Sequence, residues 1–416
     1  MRELRESGSD SLLVAALSVL QLHTINEALL PNLKTLQLTK VHRLFIQFIP
    51  SFLSLGVTSI YLSFKSHCPE VMVASLVSSS PTLCPHLQQI TVISLPDGPT
   101  ITAAVSGMVL ATNRNTLQEL RLYHPLTEEA SEVIFKLPNL RSLSAEIRRE
   151  TSLSSASLPN LTNLVLSTYG NNWARLFHGA TFGKLEVFEF YHRPEEIGDL
   201  LETFERVALS SSIQNTLSTF NLFTIRSWNP NYSSLLPFTQ LVRLDIEFSC
   251  GNECSSKVDD DVIVNLSRAM PKLTYLQLGN DPCKEFTTGA TTKGLVALAL
   301  HCPDLKYICI HFQVASLSTP PASPGTGRNT GPTGSWTDCA LTGLSIGATR
   351  VPEESALIVA LTLLRIFPRI RDMKPKNGWY ADWEKDKGWK KVGDAIRLSG
   401  QIVDCSSKQQ PLTTLK

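Results

Sequence analysis

Met270-Pro271-Lys272-Leu273-Thr274-Tyr275-Leu276-Gln277-Leu278 is the stretch on which the architecture turns. Leu273, Leu276 and Leu278 stand at the first, fourth and sixth positions of an L-x-x-L-x-L pattern. Its last residues alternate with the period of an extended strand, so Leu276 and Leu278 face one way while Tyr275 and Gln277 face the other. Upstream, residues 258–270 carry apolar side chains at helical spacing. Pro271 ends such a helix and presets an extended approach to the strand, and because it lies before the strand its missing N–H costs no ladder bond.

Working outward, the same pattern, with other aliphatics or Phe allowed, starts at Leu33, Val57, Leu87, Leu117, Leu140, Leu161, Leu185, Leu217, Leu241, Leu273, Leu305, Leu341 and, degraded, Ile370. Intervals run from 21 to 36 residues. A proline stands two residues before seven of these thirteen anchors (Pro31, Pro85, Pro138, Pro159, Pro271, Pro303 and Pro368), where a proline content of 24 in 416 predicts fewer than one. Helical spacing recurs upstream, at 128–136 and 292–301. Each unit is therefore one short parallel strand with a returning helix or irregular segment. No unit buries its leucines alone, and stacking on its neighbours does so. The reading is an α/β leucine-rich-repeat solenoid, a horseshoe with a parallel β-sheet on the concave face and helices or irregular segments on the convex face. Residues 1–30 are expected as a helical cap built on 12–29, 31–374 as the solenoid, and 375–416 as a Trp-rich cap helix and tail. A disordered Pro/Gly/Ser insertion is expected at about 315–337.

Composition agrees. Leucine accounts for 61 of 416 residues, hydrophobic residues for 43% and charged residues for only 18%. That excess excludes a disordered chain. A formal charge of +1 leaves no basic footprint for nucleic acid or an anionic membrane, so neither partner is expected. Nine scattered cysteines, an odd number in a long chain, are not a disulfide framework. The apolar run 12–22 is not expected to be a secretory signal, since Glu3, Glu6 and Asp10 occupy its flank. No run approaches a membrane span. A monomer in the cytoplasm, the nucleus or both is expected.

The search for chemistry returns no enzyme, cofactor or metal expectation. Gly325, Gly327 and Gly331 lie in a low-complexity stretch without the strand–turn–helix setting of a phosphate loop. Cys250 and Cys254 have no second ligand pair for zinc. Asp259-Asp260-Asp261 opens a predicted helix, where carboxylates meet the N-terminal dipole. His301 ends a helix facing the opposite pole, and Cys84 and Cys302 read as small buried hydrophobes. Lys385, Lys387, Lys390 and Lys391 read as a solvated helix face.

The repeat does place a partner surface. The third, fifth and seventh residues of each unit point away from the buried leucines, and parallel strands about 4.8 Å apart align them in rows. The seventh-position row reads Tyr191, Phe223, Glu247, Gly279, His311, and the third-position row Thr219, Arg243, Tyr275, Tyr307. Between them lie Glu189, Asn221, Asp245, Gln277 and Cys309, while an earlier repeat supplies Arg121 and Tyr123. Aromatic and arginine side chains are the residues that binding hot spots use. A protein partner is therefore expected on the concave face, held by Arg121, Tyr123, Tyr191, Phe223, Arg243, Asp245, Glu247, Tyr275, Tyr307 and His311.

Residues 292–308, a helix ending in Cys302-Pro303 before Leu305, resemble the cysteine-containing leucine-rich repeat, and His67-Cys68-Pro69 and Leu83-Cys84-Pro85 echo it. With the long intervals, the late Pro/Ser insertion and Trp379, Trp383 and Trp389, the chain resembles fungal F-box/leucine-rich-repeat proteins over about 30–400. The resemblance implies repeats that hold a substrate for an SCF-type ubiquitin ligase, and an N-terminal F-box that docks on a Skp1-like adaptor. Residues 1–30 carry no Leu-Pro-x-Glu opening and no closing Trp. The expectation is a substrate receptor whose F-box is missing from this chain, with a Skp1-like partner only if an F-box exists upstream. The alternative is a stand-alone adaptor or inhibitor.

Overall fold

A computed structural model describes residues 3–6, 17–19, 28–65, 67–95, 98–112, 114–147, 157–169, 180–193, 201, 205, 212–224, 231–248, 258–279, 289–310, 312–317, 339–346, 351–374 and 387–408. They divide into two compact units, Met1–Thr216 and Leu217–Lys416.

The first unit holds β1 (Glu3–Glu6), β2 (Thr35–Val41), β3 (Ser59–Phe64), β4 (Gln89–Ile93), β5 (Glu119–Pro125), β6 (Ser142–Ile147), β7 (Ser157–Leu158), β8 (Asn163–Tyr169), β9 (Thr181–Phe182) and β10 (Val187–Arg193). Parallel pairs run in the order β1-β2-β3-β4-β5-β6-β8-β10, and β7 pairs with β9 apart from them. Helices α1 (Glu70–Leu83), α2 (Pro99–Ala111) and α3 (Glu128–Ile134) form returns between strands and pack on one another in sequence.

The second unit holds β11 (Thr219–Thr224), β12 (Arg243–Phe248), β13 (Tyr275–Leu278), β14 (Tyr307–Ile310), β15 (Gly343–Ile346) and β16 (Asp372–Lys374), each parallel to the next. Helix α4 (Asp260–Ala269) packs on α5 (Thr292–His301), and α6 (Ala356–Ile366) packs on α7 (Lys387–Lys408). The chain is α/β with extensive parallel pairing, as its sequence pattern predicts.

The anchors explain why strands begin where they do. All thirteen are buried, none more than 1% exposed. Thirteen strands (all but β1, β7 and β9) start two residues after an anchor. At each of the seven anchors that carry the proline, the anchor N–H donates to the carbonyl three residues back, as from Leu305 to Cys302 at 3.1 Å. Proline is then the second residue of the turn, where its fixed φ is favoured. At ten of the anchors the next carbonyl accepts two N–H groups from the following repeat. Val242 accepts from Thr274 and Tyr275 at 2.8 and 3.2 Å, and Lys306 from Thr342 and Gly343 at 3.1 and 2.9 Å.

Buried thiols serve the same stacking. Cys302 Sγ donates to the carbonyls of Ser267 and Met270 at the end of α4, at 3.6 and 3.5 Å. Cys339 Sγ donates to the carbonyls of Cys302 and Leu305 at 3.7 and 3.9 Å. Burial pushes Cys84 up to about 11 and Cys302 up to about 12, so both remain protonated and are poor nucleophiles.

Three expectations change. The edge of β2 is occupied by β1, which pairs Glu3–Glu6 against residues 35–38, where a helical cap was expected. An open strand edge presents unpaired N–H and C=O groups, and even the charged segment Glu3–Glu6 satisfies them. Within 12–29, residues 17–19 are helical with Leu17 buried, 28 and 29 are not helical, and the rest lie outside the described residues. The insertion expected from 315 begins later, because Val314–Leu317 forms a helical turn with Val314 and Leu317 buried. Residues 318–338, the three glycines at 325–331 among them, lie outside the described residues, as do Cys250, Cys254, Trp379, Trp383 and Lys385. Trp389 on α7 is buried, edge-on to Phe312 at 6.0 Å.

Candidate functional site

In the second unit the predicted rows assemble. Backbone register aligns Thr219, Arg243, Tyr275, Tyr307 and Gly343 across β11 to β15. Two residues on, it aligns Asn221, Asp245, Gln277, Cys309 and Ser345, and Phe223 stands opposite Glu247. Strand spacing in a sheet equals a comfortable ring-stacking distance. Accordingly the Tyr275 and Tyr307 rings stack with centroids 4.8 Å apart and planes 14° from parallel. The Arg243 guanidinium lies over the other face of Tyr275, 3.7 Å from its centroid.

Hydrogen bonds hold this stack in place. Arg243 donates from Nε to Asn221 Oδ1 at 3.2 Å and from Nη2 to Asp245 Oδ2 at 2.6 Å. Tyr275 Oη donates to Gln277 Oε1 at 2.7 Å, and Gln277 Nε2 donates to Glu247 Oε1. The side chain of Arg243 remains 39% exposed and that of Asp245 3%. Burial, reinforced by the Asp245 carboxylate, pushes the Tyr275 hydroxyl well above its ordinary range. Burial likewise raises Tyr307, with Asp245 and Glu247 acting in the same direction. Both phenols stay neutral donors at physiological pH.

The fifth-position row corrects an expectation. Asn221, Asp245, Gln277, Cys309 and Ser345 are all buried. Asp245 was expected to hold a partner, yet with the rest of the row it forms the polar floor of the site. Flanking Arg and Tyr side chains are long enough to lean over a row of shorter residues, and the hydrogen bonds above serve Asn221 Oδ1, Asp245 Oδ2 and Gln277 in that row.

Three other candidates lie on strands of the first unit. Arg121 and Tyr123 lie on β5 of the first unit, where Arg121 Nε meets Glu119 Oε1 at 2.7 Å and Tyr123 is 56% exposed. Tyr191, on β10 of the same unit, donates to Glu189 Oε2 at 3.1 Å. His311 lies outside the described residues. Gly343 was missed, although extending the third-position row by one anchor, to Leu341, reaches it.

Each aspartate of 259–261 has a helix-end role. Asp259 caps its own helix, accepting from Val262 N at 3.0 Å. Asp260 Oδ1 accepts from Thr291 N and Gly294 N at 2.7 and 2.9 Å, so it caps α5 from the neighbouring unit. Asp261 pairs with Lys293 at 3.1 Å. Among the described residues no group of His, Cys, Asp and Glu is arranged to hold a metal, and no helix is long and apolar enough to cross a membrane. His301 departs from the dipole reading, since burial and the nearby Arg268 lower its pKa. Lys387, Lys390 and Lys391 on α7 are exposed, and Lys391 reaches Glu353 at 2.6 Å.

No family model matches the chain, and no curated protein matches it.

Proposed function

We propose that the chain is a leucine-rich-repeat solenoid that binds a protein partner without catalysing a reaction, and that Arg243, Tyr275 and Tyr307 form the centre of the binding face. The observation that carries this is the Arg243–Tyr275–Tyr307 stack, fixed across three adjacent strands by the Asn221–Asp245–Gln277–Glu247 network. Tyr and Arg are the side chains on which binding energy concentrates. Groups already locked in place lose little conformational freedom when a partner docks. The solenoid reading is supported by the strand start two residues after every buried anchor and by parallel pairing of each strand with its neighbours within each unit.

On this reading the partner is a substrate held for an SCF-type ubiquitin ligase, an assignment that rests on the family resemblance of residues 292–308 and the Cys-Pro turns. The alternative within the same class is an adaptor or inhibitor that acts through its repeats alone. Affinity capture tests the binding face. Wild-type protein and an Arg243→Ser/Tyr275→Ser/Tyr307→Ser variant of matched thermal stability are compared, and the proposal expects a partner retained by the first and lost by the second. Equal capture by both contradicts it. Co-precipitation of Skp1 supports the receptor, and partner binding without Skp1 supports the adaptor.

A further inference from the structure

The outer face of α6 departs from that of α4. On α4 the outward positions Asp261, Asn265 and Arg268 are polar and exposed. On α6 the same spacing of four and then three brings out Leu357, Leu361 and Leu364. Leu357 is 62% exposed, Leu361 57% and the adjoining Ile358 45%. Thr362, the uncharged polar residue of this helix, turns the other way, buried with its hydroxyl donating to the Leu317 carbonyl at 2.9 Å. Helix α5, residues 314–317 and α7 pack against α6 and leave the leucine stripe open. A helix that is apolar on every side belongs under cover on every side, and an exposed apolar stripe marks an interface.

The stripe reads nearly the same in both directions. Leu361 is its centre, with Ile358 three residues before it and Leu364 three after. A copy turned about a two-fold axis at Leu361 therefore lays Leu361 on Leu361 and Ile358 on Leu364. The two ends carry opposite charge. Glu353 and Glu354 stand just ahead of the helix, and Arg365 and Arg369 at its far end, all four exposed. Lys387 and Lys391 of α7 hold Glu353 at 3.9 and 2.6 Å, which leaves Glu354 as the acid for a partner. Among the described residues neither Glu354 nor Arg369 has an ion pair. The same rotation sets Glu354 beside Arg365 and Arg369 of the second copy, once at each end, where a parallel pairing would bring like charges together.

We infer that the stripe of Leu357, Ile358, Leu361 and Leu364 docks a second copy of this chain, α6 against α6 in antiparallel, giving a two-fold dimer where a monomer was expected from the sequence. Burial of the leucines supplies the affinity, and the charged ends set the direction. The dimer uses none of the residues of the proposed binding face and does not depend on it.

Analytical ultracentrifugation of the full chain from about 1 to 100 μM tests it. Wild type is expected to reach twice the monomer mass within that range. Leu357→Glu/Leu361→Glu puts carboxylates at two exposed positions, where the fold loses little, and is expected to weaken dimerisation about a hundredfold or more. Charge swaps test the direction. Glu354→Arg and Arg365→Glu/Arg369→Glu should each weaken self-association about tenfold, and a mixture of the two should pair at about wild-type strength. Circular dichroism and melting temperature confirm that each variant is folded. A wild type that stays monomeric throughout, a Leu357→Glu/Leu361→Glu variant that dimerises unchanged, or a mixture of charge variants that does not pair overturns the inference. So does a monomeric wild type that captures a different protein, lost in Leu357→Glu/Leu361→Glu, since the stripe then serves that protein instead of a second copy.

Discussion

Arg243 has two duties that mutation separates: it stacks on Tyr275 and it neutralises the buried carboxylate of Asp245. Arg243→Met keeps the aliphatic bulk but leaves Asp245 under-compensated. It should destabilise the fold by about 1–3 kcal/mol in urea unfolding, and Arg243→Met/Asp245→Asn should recover most of that loss. His301 gives a pH test. Its pKa is below the ordinary 6.5 because burial, and then Arg268, disfavour its charge. The unfolded chain therefore binds the proton first, so stability is full above pH 6.5 and falls as pH drops from there to the folded value. His301→Gln should remove that part of the acid-side loss, measured as melting temperature against pH. At this scale the third-position row was legible because period two needs only spacing. The burial of Asn221, Asp245 and Gln277 was not, since it depends on how far neighbouring Arg and Tyr side chains lean, a rotamer property that spacing does not carry.

Helices were legible where apolar residues recur at helical period before a Pro turn, as in α3, α4 and α5. Strands β1, β7 and β9 were not. Glu3–Glu6 has no alternating apolar face, and two-residue strands are too short for any periodicity to register. The aspartates at the head of α4 read correctly as helix-end groups, but the sequence has no means of showing that Asp260 serves the neighbouring helix. That division predicts distinct effects. Asp259→Ala should loosen the first turn of α4, and Asp260→Ala the first turn of α5, each by about 1 kcal/mol. Amide hydrogen exchange checks it: Asp260→Ala should speed exchange at Thr291 and Gly294 while leaving Val262 protected.

On the scale of whole units, the proposed solenoid has stability distributed through neighbour-to-neighbour contacts rather than through one shared centre. Within the second unit each strand bonds to the strands beside it in the chain. Leu276 is fully buried in β13, and Leu276→Ala should cost about 2–5 kcal/mol. Hydrogen exchange should then show protection lost first in β12 to β14 and least in β16, as expected where each unit contacts only its neighbours. Buried leucines at the anchors and along the strands account for part of the leucine excess. The account's central claim is that the Arg243–Tyr275–Tyr307 stack is where a protein partner binds. The most direct test is the affinity of a captured partner, by isothermal titration calorimetry, for wild type, Tyr275→Ala and Tyr123→Ala. The account predicts a loss of about thirtyfold or more for Tyr275→Ala and little change for Tyr123→Ala; wild-type affinity in the Tyr275→Ala protein would contradict it.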